Sequence, residues 1–307
     1  MAVAITAYAR RVGVPPGIVK VYENLGTVVG PRSPAGGRLR AIAAAGATPL
    51  LSLEPTWPGA RTRDVMLQIA TGGADSLIAA RAHDIESLHL PHPVVVELAA
   101  EMNARFGAPW QAPDTADGGE RAGFAARYVV AWRRVVEIFR TRSAAPVRWL
   151  WSVSAGNPYT HAASGGLHWN WYDRYYPGDD VVDAVGLHAF NDPIGQHAWI
   201  PFVELVDGEA ADHALSSLSE RHLHKPIFLS ELATDEQPGN ARGKAAWIRN
   251  AFASVRRCAP VTAVVWFDAH KERDWRFASS PASAAAYRDA ARPMAASRSP
   301  GAASDTL

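Results

Sequence analysis

The sequence predicts an α/β chain of repeated strand–helix units, a (β/α)8 TIM barrel lacking or truncated at its first strand. Three observations carry that prediction. Short runs rich in β-branched residues recur from end to end; longer helical patterns separate them, as in serial βαβ units around a parallel sheet. The chain also opens on a helix, so its seven runs would be strands two to eight.

The runs, in order, are Gly17–Asn24, Thr48–Pro55, His92–Glu101, Pro146–Val153, Val181–Phe190, Lys225–Leu232 and Pro260–Asp268. Between them lie amphipathic stretches such as "RLRAIAAAG", "ERAGFAARYVVAWRRVVEIFRTR" and "ARGKAAWIRNAFASVRR", several closed by Gly or by a Pro just beyond. The opening "MAVAITAYARRVG" has the period of an amphipathic helix and lacks the charged front and cleavage site of a leader. The missing strand, and any signal peptide, are therefore expected upstream of Met1. Residues 1–293 are expected to form the barrel domain, and 294–307, an aperiodic Ala/Ser/Pro/Gly segment, a disordered tail.

Composition narrows the partners. With 31 basic against 30 acidic residues and no basic stripe, the chain has no footprint for nucleic acid. No apolar run reaches the roughly 18 residues of a membrane span. Cys258 is the single cysteine, so neither a disulfide framework nor a multi-cysteine metal site is expected, and it reads as a small apolar residue. "HLH" at His222–His224 has a metal-ligand form but precedes a strand, at the wrong end of a barrel for a site; His89 and His92 share that position. No metal, no cofactor, no membrane and a monomer are the expectations.

In a barrel of this kind the active site lies at the carboxyl ends of the strands. Two runs there deliver glutamates, Glu101 closing the third and Glu231 closing the sixth. Hydrolysis of a glycosidic bond with retention needs two carboxyl groups about 5–5.5 Å apart, one attacking the anomeric carbon and one protonating the departing oxygen. Strands three apart in an eight-stranded barrel face each other across its centre, as that chemistry requires.

The pieces "GATPLLSLEP", "PVVVELAAEMNARFGAPW", "WLWSVS", "YYPGDDVVDAVGLHAFN", "KPIFLSELA" and "AVVWFDAHKERDWRF", in that order and spacing, resemble glycoside hydrolase family 26, best known for β-mannanases on a clan A (β/α)8 barrel. The resemblance runs from about Ile5 to Ala290. It implies that Glu101 in "EMN" is the acid/base and Glu231 in "SEL" the nucleophile. It also implies an aromatic floor for the sugar at Trp266 and an extracellular location. A flat indole suits the apolar C–H face of a pyranose.

Other strand-end residues are candidate substrate contacts: Trp110, Trp171, Asn103, Glu54, His188, Phe190 and Trp151. His161 or His168 would join His188 in holding sugar hydroxyls. Three positions depart from the family pattern. Ala100 stands where the family has the histidine of "HEMN", Glu97 where it has an arginine, and Phe190 where it generally has a tyrosine that holds the nucleophile. Losing that donor would cost about 1.5–3 kcal/mol, the usual worth of a hydrogen bond to a charge. A carboxylate pointing into a barrel needs a partner, and Lys20 is the expected one for Glu97.

The sequence thus reads as a retaining endo-β-glycoside hydrolase, a mannan endo-1,4-β-mannosidase-like glycosidase acting by double displacement. Its substrate would be a β-linked polysaccharide, β-mannan by default, with β-glucan, β-xylan or an exopolysaccharide open. The rival is a catalytically impaired carbohydrate-binding barrel associated with polysaccharide synthesis or export, favoured by the same three departures.

Overall fold

The computed structural model describes residues 1–60, 65–104, 107–112, 118–155, 171–192, 198–211, 213–258 and 260–296. It opens on α1 (Ala2–Val12) and then repeats strand and helix: β1 (Ile18–Asn24), α2 (Pro34–Ala44), β2 (Thr48–Glu54), α3 (Val65–Ala70), α4 (Asp75–Glu86), β3 (Val94–Leu98), α5 (Gly118–Arg142), β4 (Val147–Ser154). The second half continues with β5 (Ala184–Asn191), α6 (Phe202–Asp207), α7 (Ala214–Arg221), β6 (Ile227–Thr234), α8 (Gly243–Val255), β7 (Val261–Trp266) and α9 (Pro281–Ala296). This alternation, with β1 to β4 and β5 to β7 pairing parallel in chain order, is that of a (β/α)8 barrel short of one strand.

The chain divides into two compact units, one drawn mainly from Ile18–Val153 and the other from Val3–Gly17 together with the chain from Ala184 onward. In the first, β1, β2, β3 and β4 pair in chain order. β3 is buried at every position, as expected of a strand covered on both faces. The long helix α5 covers this sheet with a stripe at helical spacing, Phe124, Tyr128, Ala131, Trp132, Val135 and Phe139, all buried. Two of its rings meet Trp149 of β4 edge to face, Trp132 at 6.1 Å and Phe139 at 5.1 Å between centroids. The start of α2 is written locally: Ser33 caps it by accepting from the Gly36 N–H at 2.9 Å, and Pro34 occupies the first turn. Gly36 is required there, because a Cβ would run into the carbonyls of Val29 and Gly30.

In the second unit, β5, β6 and β7 pair in chain order. The first helix packs with the last: the Tyr8 ring meets Tyr287 of α9 edge-on at 6.4 Å, and Arg292 Nε donates to the Val12 carbonyl at 3.1 Å. Burial, aided by the charge of Asp268, raises the phenols of both tyrosines, Tyr287 well above its ordinary range, so both stay neutral in this contact. The expected domain end at residue 293 falls inside α9, which accepts Pro293 and continues to Ala296. No described helix is long and apolar enough to cross a membrane. Cys258 lies in the turn after α8 and is half-buried.

Candidate active site

The turn after β3 places two residues with a Cβ in left-handed backbone within three positions. The strand ends at Leu98, earlier than its apolar run suggests, and Glu101 sits three residues further on. Ala99 and Glu101 both have positive φ, 48° and 57°. That conformation costs a residue with a Cβ roughly 1–2 kcal/mol, so it persists only where neighbours over-determine it. They do so here. The Ala99 N–H donates to Leu53 O at 3.1 Å, and the Glu101 N–H to Ser152 O at 3.0 Å. Trp110 Nε1–H reaches back to Ala100 O at 2.7 Å, and Gln111 Nε2–H to Glu101 O at 2.8 Å. The ring and amide that follow the glutamate in sequence are thus clamps on the turn that presents it. Asn103, in the same turn, is 2 % exposed.

Below the turn, Glu97 is fully buried and pairs with Lys20 of β1, the partner expected from the sequence. Two serines also donate to it, Ser52 Oγ to Oε2 at 2.9 Å and Ser152 Oγ to Oε1 at 2.6 Å. Tyr128 lies close by. Burial first, and the Glu97 charge second, push its phenol well above its ordinary value, and it stays a donor toward Leu98 O. Removing one partner of such a pair strands the other charge. Glu97→Ala is therefore expected to lower unfolding stability by about 3–5 kcal/mol, whereas the joint change Lys20→Met with Glu97→Leu costs far less. Urea denaturation of the variants checks both.

In the second unit Glu231 lies within β6, three residues before its end, and is 7 % exposed. Its register partner on β5 is His188, whose Nδ1 stands 3.7 Å from Glu231 Oε2. The His188 carbonyl accepts the Ala155 N–H at 2.8 Å, which fixes the backbone beneath the imidazole. Phe190, two residues on, is half-buried, its ring edge-on to Phe267 at 5.5 Å and Trp275 at 5.4 Å. The next two strand-end residues hold loops: Asn191 bonds both polar groups of Ile200 and the Thr234 hydroxyl, and Asp192 accepts from Arg273 Nε at 3.2 Å.

Two of the expected sugar contacts are placed elsewhere. Trp266 does end β7, but it is 8 % exposed, with its ring edge-on to Trp247 of α8 and Tyr287 of α9 and its Nε1–H on Trp275 O at 2.8 Å. It is a wedge between strand and helices, not an open platform. Strand side chains alternate between faces, and Phe267, one residue later and half-exposed, is the ring that joins Phe190. Trp151 is likewise fully buried, edge-on to Tyr172 and Tyr176, while its neighbour Ser152 takes the Glu97 side. Truncation tests the reassignment: Trp266→Ala should cost about 3–5 kcal/mol of stability, as for a buried large-to-small change, with KM for substrate unaltered in the folded fraction.

Trp171 is half-buried and stacks on Tyr172 at 4.6 Å, with its Nε1–H on Asp173 Oδ2 at 2.9 Å. Glu54 ends β2 with a half-exposed side chain, and its carbonyl receives the Leu25 and Thr56 N–H groups. His161 and His168 lie outside the described residues. Phe267, Ser52 and Ser152 escaped sequence reasoning. The serines left a signal, since a lone hydroxyl inside an apolar strand ("LLSLE", "LWSVS") marks a buried polar acceptor nearby.

Comparison with known proteins gives the fold a family context. No protein-family model matches the chain. "Endoglucanase H" of Acetivibrio thermocellus is 32 % identical over 210 residues, 64 % of this chain, and the match spans about a fifth of that longer protein, 21 %. Among solved structures, a GH26 β-mannanase from Bacteroides ovatus superposes with a TM-score of 0.59 at 16 % identity, covering 91 % of this chain and 79 % of that one. An endo-β-1,4-mannanase of Cellulomonas fimi gives 0.60 at 16 % identity, covering 93 % and 66 %. A GH5_18 protein from Streptomyces cattleya gives 0.59 at 14 %, covering 97 % and 76 %. The fold is therefore the barrel of these glycoside hydrolases, and the resemblance to family 26 stands at the level of fold.

Proposed function

We propose that the protein is a retaining endo-β-glycoside hydrolase in which Glu231 attacks the anomeric carbon and Glu101 serves as acid, then base. The observation that carries the reading is the turn after β3, where a glutamate is held in left-handed backbone by bonds from Ser152, Trp110 and Gln111. Strain stabilised by its surroundings at a barrel strand end is a mark of a functional position. Glu231, set in a strand and accompanied by His188, has the fixed geometry a nucleophile needs.

In the first step Glu231 would form a glycosyl ester while Glu101 hands its proton to the departing oxygen. In the second, Glu101 would take a proton from water, which displaces the ester. Phe190 offers a ring without a hydroxyl, and His188, the register partner of Glu231, would orient the nucleophile. Phe267 and Phe190 would provide an apolar face for a sugar ring. The residues need no cofactor for this chemistry. A polymer substrate places its work outside the cell.

The substrate is a β-linked polysaccharide. The similarity to an endoglucanase supports β-glucan as strongly as the family resemblance supports β-mannan. The test incubates the protein with β-mannan, mixed-linkage β-glucan, β-1,3-xylan and a bacterial exopolysaccharide, and measures new reducing ends and the first-formed anomer. New ends with the β-anomer appearing first are expected. Calorimetric binding without any reducing ends over long incubation would select the non-catalytic carbohydrate-binding reading instead.

A further inference from the structure

We propose that Lys20, Glu97 and Ser152 form a buried positioning relay for Glu101, a role that rests on the reading of Glu101 as the acid/base. Ser152 is the joint. Its hydroxyl donates to Glu97 Oε1 at 2.6 Å, and its carbonyl accepts the Glu101 N–H at 3.0 Å. One residue of β4 therefore holds both ends of the segment from Glu97 to Glu101, which contains both left-handed residues, Ala99 and Glu101.

The charge is what makes the hold firm. A buried carboxylate without compensation takes up a proton instead of remaining an ionised acceptor. Lys20, whose side chain is 4 % exposed, supplies the compensation, and Ser52 satisfies the second oxygen at 2.9 Å. With Glu97 ionised, the Ser152 hydroxyl has a strong, fixed acceptor, and the carbonyl on the same residue is held where the Glu101 N–H meets it. If the relay is loosened, the turn can move toward ordinary backbone angles and swing the Glu101 carboxyl away from the departing oxygen. Lys20 and Glu97 touch no substrate in this account; they act through Ser152.

A core cluster with a merely structural role would damage all substrates alike. Positioning of an acid shows instead as dependence on the leaving group, because a 2,4-dinitrophenolate departs without a proton while a sugar hydroxyl does not. The experiment compares kcat/KM for the 2,4-dinitrophenyl β-glycoside and the unactivated oligosaccharide of the same sugar. The variants are Ser152→Ala, Ser152→Thr and the joint Lys20→Met with Glu97→Leu, each verified as folded by its melting transition.

The relay predicts that Ser152→Ala loses about tenfold or more on the oligosaccharide relative to the aryl glycoside, within the usual worth of general acid catalysis. Ser152→Thr, which keeps the hydroxyl, restores the ratio. The joint variant, which packs without charges, repeats the loss and serves if Ser152→Ala does not fold. Equal losses on both substrates, or no loss, overturn the relay. Glu101→Ala is run beside them. If it hydrolyses the oligosaccharide normally, the assignment of Glu101 itself falls; if it shows the leaving-group dependence and the relay variants do not, only the relay falls.

Discussion

Glu231→Ala is expected to abolish turnover, lowering kcat by about 10⁴- to 10⁶-fold, the scale on which loss of a covalent nucleophile is felt. The reason is specific to double displacement: without the carboxylate no glycosyl ester forms, and water on that side of the sugar is a weak nucleophile with no base left to activate it. Glu231 is 7 % exposed with His188 Nδ1 3.7 Å from its carboxylate, and shortening it to alanine vacates the volume of a small anion. Added azide should therefore restore turnover and give the α-glycosyl azide, because a single displacement inverts the centre. Product analysis by NMR reads the anomer directly. Undiminished hydrolysis in the variant would remove Glu231 from the chemistry.

Glu101→Ala carries the second large effect, about 10²- to 10⁴-fold on substrates with poor leaving groups, the range for a general acid. Substrates whose leaving groups need no proton should form the glycosyl ester readily, and the ester should then accumulate, since its hydrolysis lacks a base. A burst of aryl alcohol followed by slow turnover is the expected trace. Azide should accelerate the slow phase and give the β-glycosyl azide, the opposite anomer from the Glu231 variant. The same anomer from both variants would contradict the two-carboxylate scheme.

Much of the fold was legible in the residues. All seven strands fall within the runs picked out by β-branched content or a few residues of them, because buried parallel strands must be continuously apolar. Lys20 and Glu97 could be paired from the alternation of side chains alone, since two opposite charges in apolar strands of one barrel have few other places to go. What stayed hidden was direction. Trp266 and Trp151 both stand in apolar strands, and their sequence context is the same whether the ring faces sugar or helix. Only the partners in space, Trp247 and Tyr287 for one and Tyr172 and Tyr176 for the other, decide it. The end of β3 was also hidden: "VVVELAAE" has strand character throughout, and the break after Leu98 comes from hydrogen bonds made by Ser152 and Trp110, residues 54 and 12 positions away from it.

Distance from Glu101 to its clamps explains why the site was easier to name than to describe. Trp110 looks like a candidate sugar contact in sequence, yet it spends its polar hydrogen on the turn itself, as does Gln111 beside it. A side chain that holds a strand-end turn and one that would hold substrate are written with the same amino acids.

Trapping the covalent intermediate tests the central claim most directly. A 2-deoxy-2-fluoro-β-glycosyl fluoride of the sugar that the protein hydrolyses should inactivate it with one-to-one labelling. Mass spectrometry of the digested protein should locate the label on Glu231. A label on Glu97 or Glu101, or continued full activity with no label, would contradict the account.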